Sequence, residues 1–167
     1  KGTMEYLMWL DADDVISEKN RKKLLGLKES LESDVDMVLM PYAAAFEPSG
    51  EPAFSYYRER IVKNYRGFRF CGRVHEVIPP SGKLCYADIL VEHRKQKAGD
   101  SRRNLRIYET MEETGEGFDS RALYYYGREL YFHRKYEKGR KVLEQFLDRP
   151  DGWVENRIDA TRQLAGC

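Results

Sequence analysis

No stretch of this sequence approaches the roughly 20 apolar residues needed to cross a bilayer, and its first residues lack the layout of a secretory signal. Cysteine is sparse. Cys71, Cys85 and Cys167 are odd in number, irregularly spaced and without a zinc pairing, so reduced cytosolic thiols are expected. An excess of either charge is also missing: 29 basic residues face 28 acidic ones, for a net charge of +1. No global field therefore draws the chain to nucleic acid or to a membrane, and no nucleic-acid partner is expected.

The 167 residues suffice for one domain with a real core, or for one and a fraction. Twelve tyrosines and 34% charged residues describe a wet, aromatic-rich surface. The densest chemistry lies at the start, in MEYLMWLDADDV. The apolar run Tyr6-Leu7-Met8-Trp9-Leu10 suits a strand buried on both faces, as in a parallel sheet. It ends in Asp11, Asp13 and Asp14, which places negative charge at the carboxyl end of that strand, where open α/β sheets keep their ligands. Such crowding is costly unless water or a cation relieves it. Oxygen ligands two residues apart suit a hard divalent ion, Mg²⁺ or Mn²⁺, which usually also grips a phosphate. The plainer reading is a polar strand-to-helix turn in which Asp13 or Asp14 helps to cap.

WLDADD after an apolar strand resembles the acidic motif of the family 2 glycosyltransferases, enzymes of the GT-A fold. The resemblance continues through MPYAAAF, FSYYRERI, RFCGRVHEVI and ILVEH, to about residue 93. It implies that Asp11 and Asp13 hold a divalent metal, Mn²⁺ or Mg²⁺, against the diphosphate of a nucleotide-sugar donor, with Asp14 at the cofactor and a further candidate for the metal. It also implies that His93, after the last strand, completes the metal's coordination. In this group the nucleotide-binding βαβ units precede the acidic motif. The chain begins Lys-Gly-Thr and opens almost directly onto a buried-type strand, so it is expected to be an excised piece, inactive alone. The unpaired flank of the Met4–Leu10 strand is expected to drive self-association into a homodimer.

Ser17 is placed to cap a helix reaching about Leu31, with Leu24, Leu25, Leu27 and Leu31 apolar and Arg21-Lys22-Lys23 solvated. A buried strand from Asp36 runs on to Phe46, turns at Pro48-Ser49-Gly50 and returns over Ala53 to Arg60 as a hairpin. The period-2 reading puts Tyr56, Arg58 and Arg60 on one face and Tyr57, Glu59 and Ile61 on the other. The resemblance places Arg58 and Arg60 near the donor diphosphate or the acceptor; a cross-strand charge pair is the alternative. The Gly72…His75-Glu76 segment resembles Gly-x-Val-His-Glu of the same group. Inverting transfer needs a carboxylate to take the acceptor hydroxyl's proton. Glu76 is assigned that role, with His75 orienting the acceptor and Glu59 as the second choice. The commoner base of the family is an aspartate. A further strand is expected from Leu84 to Val91, closed by His93. Arg94, Lys95 and Lys97 then either meet phosphate or belong to a solvated linker.

Beyond Ser101 the apolar spacing changes to 3.6. Leu105, Ile107, Tyr108 and Met111 form one helix face, stopped at Thr114-Gly115. Asp119 or Ser120 caps the next helix, through about His133, and Lys135 to Leu147 forms another. Ala122, Gly127, Leu130, Tyr136, Gly139, Leu143 and Phe146 fall where a tetratricopeptide repeat places its small and large packing residues. His133 reads as a surface residue, and Trp153 to Cys167 as an unpartnered helix.

The expected fold is therefore a mixed-sheet α/β part of a GT-A domain over residues 1–98, followed by an all-α repeat-like region over 99–167. The function the resemblance implies is a metal-dependent, inverting glycosyl transfer from a nucleotide-diphosphate sugar to a glycan, lipid-linked or protein acceptor. A cytoplasmic location, including the inner face of a membrane, goes with it, as does a protein partner for the helical tail. The alternative is a helical-repeat interaction module carrying a degenerate catalytic remnant. A phosphotransferase or hydrolase using the same aspartates ranks last, for want of a nucleophile.

Overall fold

The computed structural model describes residues 2–94 and 100–166. The protein is mixed α/β, with four of its five described helices in the C-terminal half. The chain divides into two compact units, one holding residues 2–71 and 77–94, the other 72–76 and 100–166.

The first unit is a six-stranded mixed sheet. Its strands are β1 (Tyr6–Met8), β2 (Asp14–Val15), β3 (Met37–Phe46), β4 (Pro52–Lys63), β5 (Leu84–Tyr86) and β6 (Val91–His93), in the order β1-β4-β3-β6-β2, with β5 also on β3. The long β3/β4 hairpin is antiparallel and forms as its alternating sequence predicts. β3 supplies the core: Met37, Val38 and Met40 are fully buried. Against one side packs α1 (Glu18–Ser30), through Leu24, Leu27 and, just past its end, Leu31. Ser17 caps it as expected, its side chain accepting the Asn20 N–H.

Two expectations fail here. The Tyr6–Leu10 run is not a doubly buried parallel strand. β1 is three residues long, pairs antiparallel with β4 at the sheet edge, and leaves Met8 and Leu10 exposed. An apolar run alone does not reveal how many neighbours a strand has. Nor is Leu84 to Val91 one strand. β5 and β6 lie parallel to the same side of β3, at Met37–Leu39 and then at Tyr42–Ala43, and residues 87–90 step between them. The buried side chains of Ala87 and Ile89 made that step look like strand.

The second unit contains α2 (Arg103–Glu113), α3 (Ser120–Phe132), α4 (Tyr136–Leu147) and α5 (Val154–Ala165). Leu105, Tyr108 and Met111 of α2 are buried, and Asp119 caps α3 through the Ala122 N–H. α3 and α4 approach most closely at glycines. A Cβ on Gly127 would lie 2.4 Å from Leu143 Cδ2, and one on Gly139 would lie 3.4 Å from Leu130 Cβ. α5 is not unpartnered: Ala160 is fully buried and Leu164 packs on the same core. Cys167 lies outside the described residues. No described helix is long and apolar enough to cross a membrane.

The two mid-helix glycines predict opposite outcomes. Gly26 on α1 is exposed, and an added Cβ would meet nothing within 4 Å. Gly26→Ala is expected to stabilise by up to about 1 kcal/mol, the helix-propensity difference. Gly127→Ala gains the same propensity but drives into the fully buried Leu143. Overpacking of about 1–3 kcal/mol is expected to outweigh that gain and lower the unfolding midpoint. Thermal melts of the two variants check the contrast.

Candidate metal centre

The acids after β1 are shaped by a short turn. The Asp14 N–H donates to the Asp11 carbonyl at 3.0 Å, and the Asp11 N–H donates back to Asp14 Oδ2, also at 3.0 Å. Asp14 then enters β2 and pairs directly with His93 of β6, while the Arg94 N–H donates to the Asp13 carbonyl at 2.8 Å. These bonds bring Asp13, Asp14 and His93 together. His93 Nδ1 lies 3.5 Å from Asp13 Oδ1 and 3.5 Å from Asp14 Oδ1. One ligand atom of each residue lies within 4.8 Å of the others, the arrangement a metal ion requires.

The chemistry of this set fits a divalent cation. Ligands at right angles around an ion with bonds of about 2.1–2.5 Å sit roughly 3.0–3.5 Å apart. Two carboxylates and an imidazole suit Mn²⁺. Asp14 Oδ1 and His93 Nδ1 are buried and have no hydrogen-bond partner among the described residues. Orphaned buried polar atoms are unfavourable, which a cation between them would relieve.

The set differs from the one the resemblance implies. Asp13 and His93 belong to the cluster, but Asp11 does not. Its side chain is outside the cluster, and its place is taken by Asp14. The tight 11–14 turn is the reason, since it aims the Asp14 side chain inward.

Arg60 is also corrected. It is fully buried, so it cannot reach a diphosphate. Its Nη2 lies 2.9 Å from Asp14 Oδ2, and its Cζ is 4.2 Å from the Trp9 ring centroid and 4.6 Å from that of Tyr42. Arg58 lies over the same two rings, at 4.9 and 5.3 Å, and Tyr56 meets Tyr42 edge-on at 5.7 Å. Tyr56, Arg58 and Arg60 thus share a face, as the alternation implied. Burial, with the Asp14 carboxylate next, pushes the Tyr42 phenol well above its ordinary pKa. Trp9 and Tyr42 were not singled out in the sequence; two rings that enclose an arginine have no local signature. Arg94 pairs with Glu92 at 2.8 Å and lies 3.9 Å over the Phe46 ring. Lys95 and Lys97 lie outside the described residues. No protein-family model matches the chain, and no curated protein matches it significantly.

The proposed acid–base residues belong to segment 72–76 of the second unit. Gly72 takes φ of +97°, and His75 takes φ of +54°. The His75 ring stacks on Tyr125 with centroids 4.1 Å apart, and its carbonyl accepts from Arg121 Nη2 at 3.1 Å. Glu76 is exposed. Glu59 is the second choice. It is buried, and its Oε1 accepts the Ile78 N–H at 2.9 Å, which fixes the chain after the segment. His133 is half-buried rather than a surface residue; its Nε2 lies 2.9 Å from the Ser101 carbonyl.

Proposed function

We propose that this chain carries the cation site and the general base of a glycosyltransferase of the GT-A type, moving a sugar from a nucleotide-diphosphate donor to an acceptor hydroxyl. The observation that carries the reading is the pair of buried atoms Asp14 Oδ1 and His93 Nδ1, without a hydrogen bond among the described residues and set 3.5 Å apart beside Asp13. Asp13, Asp14 and His93 hold the cation. When bound, a divalent ion offsets the charge that develops on the leaving diphosphate. Arg58 remains the guanidinium for the diphosphate, since Arg60 is enclosed. The acceptor oxygen attacks the anomeric carbon as the bond to the diphosphate oxygen breaks. The proton goes to the Glu76 carboxylate, and His75 orients the acceptor; these two roles rest on the resemblance alone.

A thermal shift with Mn²⁺, with and without UDP, GDP or CDP, tests this. At about 100 Kd a ligand of the folded state adds roughly 2.7 kcal/mol. A rise in midpoint with Mn²⁺, enlarged by one nucleotide and absent in Asp13→Ala/His93→Ala, is expected. No rise with Mn²⁺ would sink the reading.

A helical-repeat interaction module is the second reading. It is favoured by the glycine-mediated α3/α4 contact and by the exposed Trp153, Val154 and Ile158 at the start of α5. It gains the ground if the acids bind no metal.

A further inference from the structure

The two oxygens of Asp14 have different surroundings. Oδ2 accepts the Asp11 N–H at 3.0 Å and forms an ion pair with Arg60, whose Nη2 lies 2.9 Å away. Oδ1 receives no hydrogen bond among the described residues and faces His93 Nδ1. A carboxylate held through one oxygen by a backbone N–H and a buried guanidinium charge has little freedom to rotate. The direction of Oδ1 is therefore set before any ligand arrives.

Arg60 is itself fixed. In the β3/β4 ladder Val38 pairs with Ile61 and the next pair is Leu39 with Glu59, so Arg60 is the unpaired extra residue of a bulge. Bulges re-aim side chains, often beside functional sites. The guanidinium at this bulge lies between the Trp9 and Tyr42 rings, fully out of water. A planar, delocalised cation tolerates such a slot; an ammonium does not stack in the same way.

We propose that Arg60 is the positioning residue of the cation site. It acts through Asp14, holding Oδ2 so that Oδ1 is presented to the ion alongside Asp13 and His93. This rests on the reading of those three residues as cation ligands, and it withdraws Arg60 from the donor contacts. Partners behind a metal's ligands commonly govern affinity by about 10–100-fold.

The test is Mn²⁺ binding to the full chain, read from the free-ion electron paramagnetic resonance signal, on variants whose folding is checked by circular dichroism. Arg60→Lys keeps the charge and loses the planar stack. It is expected to weaken Mn²⁺ by about tenfold or more. Trp9→Leu removes one wall of the slot, leaves Arg60 and all three ligands intact, and is expected to weaken Mn²⁺ in the same direction by less. A purely structural role would lower the melting temperature of both and leave the Mn²⁺ dissociation constant unchanged. If wild type binds Mn²⁺, His93→Ala abolishes it, and both Arg60→Lys and Trp9→Leu bind as wild type, the positioning role is overturned while the cation site stands. If wild type binds no Mn²⁺, or His93→Ala makes no difference, the cation site falls and the positioning role falls with it.

Discussion

Arg60→Met is expected to lower the free energy of unfolding by about 3–5 kcal/mol, a large share of the roughly 5–15 kcal/mol that a domain has. The size follows from what is left behind. Both side chains of the Arg60–Asp14 pair are fully buried. Removing the cation alone strands a buried carboxylate, to which the Asp11 N–H still donates. A buried pair replaced as a whole is far less costly, because desolvation of both ions is avoided. Arg60→Met/Asp14→Asn should therefore recover more than half of the loss. Urea unfolding of the wild type, both single variants and the double variant gives the coupling directly. Simple additivity of the two single losses would show that the pair is not what holds this end of the sheet.

Phe146→Ala should be equally severe for the helical unit, at about 3–5 kcal/mol. The ring is fully buried, 5.5 Å from that of Tyr124, and so close to Gly152 that a Cβ there would meet it at 2.9 Å. Deleting it leaves a cavity bounded by α3, α4 and the turn before α5, walls that have little room to collapse. Trp153→Ala, seven residues on, is the control. Trp153 is 65% exposed, and its loss should cost less than about 0.5 kcal/mol. Helical circular dichroism against urea reads both.

What could be read from the sequence was what depends on neighbours in the chain. The Ser17 and Asp119 caps, the Pro48-Ser49-Gly50 turn, and the small residues of α3 and α4 each announce themselves within a few positions. What could not be read depends on distant partners. The environment of Tyr6–Leu10 was misjudged because an edge strand and a central one can share the same apolar run. The break between β5 and β6 follows from how β3 divides its side between them, which Leu84–Val91 does not encode locally. The grouping of Asp13, Asp14 and His93 was half legible for the same reason. Asp-x-Asp-Asp and a histidine ending a strand mark Asp13 and His93. Which other aspartate joins them depends on the 11–14 turn and on the register that sets Asp14 opposite His93. Likewise the alternation put Arg58 and Arg60 on one face but could not say that one of them is sealed between Trp9 and Tyr42.

The most direct test of the account is a Mn²⁺ titration of wild type against Asp13→Ala, His93→Ala and Asp11→Ala, by electron paramagnetic resonance or calorimetry. One site is predicted in the wild type. Loss of a ligand should weaken it at least as much as the roughly 100-fold upper range seen for residues behind the ligands, so Asp13→Ala and His93→Ala should both bind at least that much more weakly. Asp11→Ala should bind close to wild type, because that residue reaches Asp14 through its backbone N–H, which the substitution keeps. A wild type that ignores Mn²⁺, or a site lost in Asp11→Ala but intact in His93→Ala, would contradict the arrangement described.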